Sequence, residues 1–265
     1  DLYMDFNAFT PQSKGRLSTN INTSLAHSDL LCIAQDFIPE DLAKVYPTLP
    51  LNAHITVHGN IDSICIDTLH LSMPTAIDIQ AKGYVADALV ENGMKAHLLW
   101  DASTMNLDFI RRYLGYSDIH IPHMNLSADT KIQGNKYWAD ALLEQGKGTL
   151  HAKAHLDIDN MSYMANMHAK EIDIRNFLPK DSIGLLTLSA DISGHGTDPL
   201  SKATGVKAIV DLKHLEYKKW DVDNARLTAQ LKRGKATVEL HCDNDILMAN
   251  ACPNANIDKK DSKAD

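Results

Sequence analysis

Strict alternation of apolar and polar residues is the feature that most constrains the fold of this chain. Residues 53–59 read AHITVHG, and similar alternation recurs at 77–83, 94–100, 126–132, 150–158, 186–193, 206–212, 225–231 and 236–242. A period of two is typical of a β-strand with one face in water and one face in apolar surroundings. The sequence therefore predicts about ten strands that present one apolar face each.

Turn residues separate these stretches, as in Gly59-Asn60, Asn92-Gly93 and Arg233-Gly234, and they favour antiparallel hairpins. Helical periodicity is confined to 28–46, where Pro39 divides it, and to 103–114, where Ser103 or Thr104 is the predicted N-cap. We therefore predict an all-β, mainly antiparallel fold with a few short helices. Its repeated β units form an extended curled sheet or groove, and the alternative is a closed β-sandwich.

Three stretches share an order of acidic helical turn, strand and glycine turn, at 36–59, 107–134 and 176–194. Their spacing is too irregular for a strict solenoid. We predict one elongated β domain over 1–252 with three irregular repeats, at roughly 1–91, 92–160 and 161–252. The charged tail 253–265 is predicted to be disordered or to belong to a following unit.

Net charge and the length of the apolar runs argue against nucleic-acid binding and against a membrane-spanning helix. The 26 basic and 34 acidic residues give a net charge of −8, which argues against nucleic acid. The longest apolar runs are far shorter than the roughly 20 residues that cross a bilayer as a helix. The four cysteines, Cys32, Cys65, Cys242 and Cys252, form no CxxC pair and are expected to be free thiols.

No residue pattern predicts catalysis or a cofactor, and we expect neither an enzyme nor a metal site. His54 with His58, and His151 with His155, are four residues apart, which on a strand places them roughly 13 Å apart, too far to share one ion. Nucleophile-elbow and phosphate-loop motifs are absent from the sequence, and acid pairs such as Asp221 with Asp223 are expected by chance among so many acids.

The segment from Asn176 to Gly194, NFLPKDSIGLLTLSADISG, resembles a phrase that recurs in AsmA-like and TamB-like proteins of the Gram-negative envelope. The resemblance implies a periplasmic segment of a longer chain that is anchored in the inner membrane outside this segment. It also implies phospholipid transport toward the outer membrane, with an outer-membrane barrel protein as a possible partner. Members of this family extend across the periplasm as a long curled sheet with an apolar interior.

The apolar phase of the strands is the candidate binding site. The residues expected to line a groove for acyl chains are Ile55, Val57, Ile77, Ile79, Leu126, Ile132, Leu156, Leu186, Leu188, Val210, Leu227, Leu231, Val238 and Leu240. Each methylene group moved out of water contributes about 0.8 kcal/mol, so a phospholipid or another acyl-chain lipid is the expected ligand.

Two other functions are compatible with the same pattern. A sheet with free edge strands could bind β-strand clients during outer-membrane protein assembly. Alternatively, Trp100, Trp138 and Trp220 could form a sugar-stacking platform on an extracellular β-sandwich. The sequence leaves both alternatives open.

Overall fold

The structure, a computed structural model, describes residues 1–5, 15–33, 39–115, 118–243, 248–251 and 254–256. Its strands are β1 (Leu2–Met4), β2 (Leu17–Leu25), β3 (Leu51–Gly59), β4 (Ser63–Met73), β5 (Ile77–Ala86), β6 (Lys95–Thr104), β7 (Met124–Gln133), β8 (Lys136–Gln145), β9 (Gly148–Asp157), β10 (Ser162–Asp173), β11 (Ile183–His195), β12 (Gly205–Tyr217), β13 (Trp220–Lys232), β14 (Lys235–Asp243), β15 (Met248–Ala251) and β16 (Asn254–Asn256). Its short helices are α1 (His27–Ile33), α2 (Glu40–Val45) and α3 (Asp108–Tyr113), with a 3-10 turn at Ile174–Asn176. The predicted all-β, mainly antiparallel fold with a few short helices is confirmed.

The chain divides into two compact units. Unit 1 comprises residues 1–134, 143–146 and 176–180, and unit 2 comprises 135–142, 147–175 and 181–265. In both units the strands follow one another in chain order, and each registered neighbour pair is antiparallel. This order is the one that short hairpin turns impose on consecutive strands.

The register in unit 1 pairs β3 through β7 so that apolar residues of one strand oppose mainly apolar residues of the next. One row of directly opposed residues is Ile55, Leu69, Ala81, Trp100 and Ala128. Because opposed residues of an antiparallel pair project from the same face, this row and its neighbours form one apolar face. The residues between them, such as His54 and His70, form the opposite, polar face.

A β-bulge in β4 keeps this apolar face continuous. Ile66 opposes Val57 and Leu69 opposes Ile55, so two residues of β4 lie between these positions where β3 has one. A bulge accommodates the additional residue, and Asp67 and Thr68 both lie between the two apolar positions. Without the bulge, every residue after Ile66 would switch faces.

Unit 2 repeats this arrangement on β9 through β14. A central row consists of Met167, Ala190, Val210, Leu227 and Leu240. Further bulges shift the register of β10 between Ala169 and Ile172 and of β12 after Leu212, and again apolar residues stay on one face. The apolar phase is therefore maintained by backbone irregularity as well as by alternation.

Burial in both units is that of a sheet in one layer. Ten hydrophobic residues are buried among those described, and five of them are alanines on strands. No large side chain in the described ranges is fully buried. Two packed sheets would bury the large side chains of both inner faces, so the predicted alternative of a closed sandwich does not describe unit 1 or unit 2 by itself.

The helices lie near the predicted positions but begin differently. Pro39 is the N-cap residue of α2, as expected for a break within 28–46. The predicted cap of the second helix is wrong, because Thr104 is the last residue of β6 and the N-cap position is Leu107, without a side-chain cap. Asn106 instead accepts a hydrogen bond from the Asp108 N–H at 3.0 Å.

The predicted repeat strands correspond to β3, β7 and β11, whereas residues 36–38 of the first helical turn lie outside the described residues. Within the predicted tail, Asn254–Asn256 pairs with Lys235–Thr237 of β14 as β16. Residues 257–265 and Cys252 lie outside the described part of the chain. The predicted single domain over 1–252 stays a prediction beside the two compact units.

Candidate functional site

The apolar face of unit 1 consists of the alternate residues of β3 to β7 that project to the same side of the sheet as Ile55. Its four registered rows are Ala53, Leu71, Ile79, Ala102, Leu126; Ile55, Leu69, Ala81, Trp100, Ala128; Val57, Ile66, Gly83, Leu98, Thr130; and Gly59, Ile64, Val85, Ala96, Ile132. Thr130 is the one polar residue in these rows, and its hydroxyl donates to the Leu98 carbonyl at 3.2 Å. The face therefore offers a ligand little except hydrocarbon.

The apolar face of unit 2 is the corresponding set on β9 to β14. From β10 to β14 its rows are Ala169, Leu188, Leu212, Ala225, Cys242; Met167, Ala190, Val210, Leu227, Leu240; Ala165, Ile192, Ala208, Ala229, Val238; and Tyr163, Gly194, Val206, Leu231, Ala236. On β9, residues Leu150, Ala152, Ala154 and Leu156 continue these rows. Every residue in the set is apolar, aromatic or glycine.

The fourteen predicted lipid-contacting residues fall on these two faces, six on unit 1 and eight on unit 2. Thirteen of them are half-buried, and Leu156 is 40% exposed. Alternation thus predicted which residues of these strands share the apolar face. Whether either face binds lipid stays a prediction.

The polar faces carry histidines bonded to aspartates on neighbouring strands. In unit 1 the pairs are His58 with Asp67 at 2.7 Å, His70 with Asp78 at 2.8 Å and His97 with Asp129 at 2.9 Å. In unit 2 they are His151 with Asp140 at 2.6 Å and His214 with Asp223 at 2.7 Å. The His70 hydrogen bond is the main cause that lowers the pKa of Asp78 below its ordinary value.

The remaining histidines of interest have local structural contacts. His120 lies 3.0 Å from the Asn176 carbonyl through Nδ1, and His123 contacts the Thr104 carbonyl through the same atom. His54 lies on the polar phase of β3, within 3.5 Å of the Thr56 hydroxyl. The prediction that His54, His58, His151 and His155 lie on the polar phase of their strands is confirmed by the registers of β3 and β9.

The tryptophans do not form a common surface within a unit. Trp138 stacks on His155 with ring centroids 5.0 Å apart, which places it on the polar face of unit 2. Trp220 opposes Tyr217 at the end of the apolar face and is 46% exposed. Trp100 lies half-buried on the apolar face of unit 1. The two unit 2 tryptophans therefore cannot stack on one sugar chain from the same side.

Sequence reasoning missed a cluster at the β12–β13 hairpin. His214, Glu216 and Asp221 each place one ligand-type atom within 4.8 Å of the other two. The available signal was the spacing His-x-Glu and Asp-x-Asp on either side of the Lys218-Lys219 turn. Pairing of β12 with β13 brings these residues together, because Asp221 on β13 lies directly opposite Glu216 on β12.

Comparisons with known proteins find no matching family model, no matching curated protein and no matching solved structure. The resemblance to AsmA-like and TamB-like proteins therefore stays a prediction. Among the helices in the described ranges, none has the length and apolar character to cross a lipid bilayer.

Proposed function

We propose that the apolar faces of units 1 and 2 bind the acyl chains of lipids without catalysing a reaction. The observation that supports this most is the pairing register, which collects aliphatic side chains into continuous rows on one face. Their partial exposure leaves these side chains available to a ligand. Aliphatic rows supply no directional contact, so the expected selectivity is for hydrocarbon rather than for a particular headgroup.

The size of the face supports an extended apolar ligand. On unit 2, six strands and four rows cover about 24 Å by about 20 Å, taking about 4.8 Å between strands and about 6.8 Å between alternate residues. Soluble monomers rarely expose contiguous apolar patches larger than a few hundred Å². A face of roughly 500 Å² is at that limit, so covering it with hydrocarbon removes a substantial unfavourable contact with water.

The polar faces of both units carry charged and hydrogen-bonding side chains that interact with water. They carry the His–Asp pairs together with ion pairs such as Lys153 with Asp140 at 3.0 Å and Lys131 with Asp129 at 3.6 Å. These groups are solvated, and they keep one side of each sheet wet while the other side contacts lipid. The proposed setting is the periplasm of a Gram-negative bacterium, with the segment contributing to phospholipid transport between the membranes.

Lipid extraction followed by mass spectrometry tests this function. The purified chain is expected to carry phospholipid or fatty acid, and to bind a fluorescent fatty acid in solution after delipidation. Absence of extracted lipid together with no fluorescence change on titration contradicts the proposal. A variant with Thr228→Asp, on the polar face of β13, serves as a control that adds charge without altering the apolar face.

A further inference from the structure

Four ligand-type side chains converge where β12 and β13 approach their common turn. His214 opposes Asp223 and Glu216 opposes Asp221 in the register of these strands. Residues two apart on a strand and residues directly opposed across an antiparallel pair share a face. All four side chains therefore project from the polar face of unit 2.

The backbone beside this cluster is irregular. The register of β11 with β12 shifts between Leu212 and His214, so Lys213 is an additional residue. Across the hairpin, Asn224 has a φ of 55°, in the left-handed region. A bulge increases local twist and changes the direction of nearby side chains, and here it lies directly beside His214 and Asp223.

We propose that His214, Glu216 and Asp221 bind a divalent transition-metal ion such as Zn²⁺. Zinc takes imidazole nitrogen and carboxylate oxygen at about 2.0–2.2 Å, which places ligand atoms about 3.4 Å apart in a tetrahedral site. The three ligand atoms lie within 4.8 Å of one another, so binding an ion requires them to approach by up to about 1.4 Å.

Asp223 fits the role of a positioning residue for His214. Its Oδ1 lies 2.7 Å from Nδ1 of the imidazole. A histidine that donates one ring N–H to a carboxylate presents its other nitrogen as a metal ligand in a fixed orientation. In the proposed site Nδ1–H donates to Asp223 and Nε2 binds the ion.

Glu216 is held in place by its other contacts. Its Oε2 accepts a hydrogen bond from the Leu185 N–H at 3.1 Å and lies 3.5 Å from Nη2 of Arg175. Arg175 makes closer contacts to Asp173, at 2.8 and 3.1 Å. The cluster therefore brings three carboxylates beside one imidazole, and these are ligand types that a divalent ion such as Zn²⁺ takes.

The other His–Asp pairs provide an internal comparison. His97 with Asp129 on unit 1 has the same kind of hydrogen bond, at 2.9 Å, on a polar face. Among the described residues, the group of His214, Glu216 and Asp221 is the one in which three such ligand atoms come together. A metal that binds only histidines or isolated His–Asp pairs will not discriminate between His214 and His97.

Calorimetric titration of the full 265-residue chain with ZnCl₂ tests the site, and visible absorption of Co²⁺ in its place reports the ligand environment. We expect one ion per chain. His214→Ala and Asp221→Asn are each expected to weaken binding at least tenfold, Asp223→Asn to weaken it about 10–100-fold, and His97→Ala to have no effect.

Equal weakening by His97→Ala and His214→Ala, or unchanged binding in both His214→Ala and Asp221→Asn, overturns the proposal. Far-ultraviolet circular dichroism of each variant excludes loss of fold as the cause of weak binding. Fatty-acid binding by His214→Ala is expected to equal that of the unmodified chain, so the metal site and the lipid-binding function succeed or fail independently.

Discussion

A single charge in the centre of an apolar face gives the sharpest test of lipid binding. Leu227 lies on β13 between Val210 and Leu240 in a row of aliphatic side chains. It is half-buried, so part of its surface remains for contact with an acyl chain. In Leu227→Asp, a carboxylate replaces that hydrocarbon at the middle of the row.

The expected loss follows from the hydrocarbon contact removed. If the ligand covers about three carbon groups of Leu227, the contact contributes about 2.4 kcal/mol at about 0.8 kcal/mol per group. Because each 1.4 kcal/mol is a factor of ten, the dissociation constant rises about 50-fold. Desolvation of the new carboxylate against the acyl chain adds to this loss.

Fluorescence titration with a labelled fatty acid measures the effect, and Thr228→Asp provides the matched control. Thr228 is the next residue on the same strand and lies on the opposite face, so this variant adds the same charge and is expected to bind within about threefold of the unmodified chain. Binding by Leu227→Asp within that same range refutes the reasoning. So does an equal loss in both variants, since it shows that the strand rather than its apolar face matters.

Three further predictions concern the backbone, a histidine and a thiol. Gly115→Ala is expected to lower the free energy of unfolding by about 1–2 kcal/mol, and Gly83→Ala by more. At Gly83 the new Cβ would collide with the His97 carbonyl oxygen, whereas at Gly115 it meets nothing within 4 Å. Urea denaturation compares the two variants, and equal losses contradict the expectation. The hydrogen bond that the His214 ring donates to the Asp223 carboxylate raises the pKa of His214 above its ordinary value; burial opposes this shift, and the nearby negative charges add to it. The pair therefore stabilises the fold below about pH 6.5 and loses that contribution as pH rises through the folded pKa. Proton NMR of the imidazole should show a lower pKa in Asp223→Asn, and an unchanged value rejects this cause. A variant in which Cys242 is the sole cysteine should react with a thiol reagent only as fast as the chain unfolds, because Cys242 is 3% exposed. Rapid reaction in the folded state contradicts this expectation.

Alternation predicted the fold class and the apolar face because each strand places polar residues on one side of the sheet and apolar residues on the other. It succeeded on β3, β5, β7 and β11, where the apolar residues keep an uninterrupted period of two over most of the strand. The fourteen predicted contact residues lie on the apolar faces for the same reason. A periodic signal requires only local sequence, and these strands provide it.

The same signal failed on β4 and β10, which the sequence did not predict as strands. In β4 the apolar residues Ile66 and Leu69 are three apart, and in β10 Ala169 and Ile172 are three apart. These intervals break the period of two, and only the neighbouring strand shows that a bulge absorbs the additional residue. The hairpin cluster was missed for a related reason, because His214 and Asp221 are brought together by strand pairing rather than by spacing.

Site-specific photo-cross-linking tests most directly the central claim that lipid lies on the apolar faces. A photoreactive amino acid is placed at Leu188, on the apolar face of β11, or at the adjacent Ser189, on its polar face, and the chain is irradiated with phosphatidylethanolamine and phosphatidylglycerol vesicles. We expect mass spectrometry to show lipid adducts at Leu188 and none at Ser189. Equal adducts at both positions, or peptide adducts in place of lipid at Leu188, would contradict it.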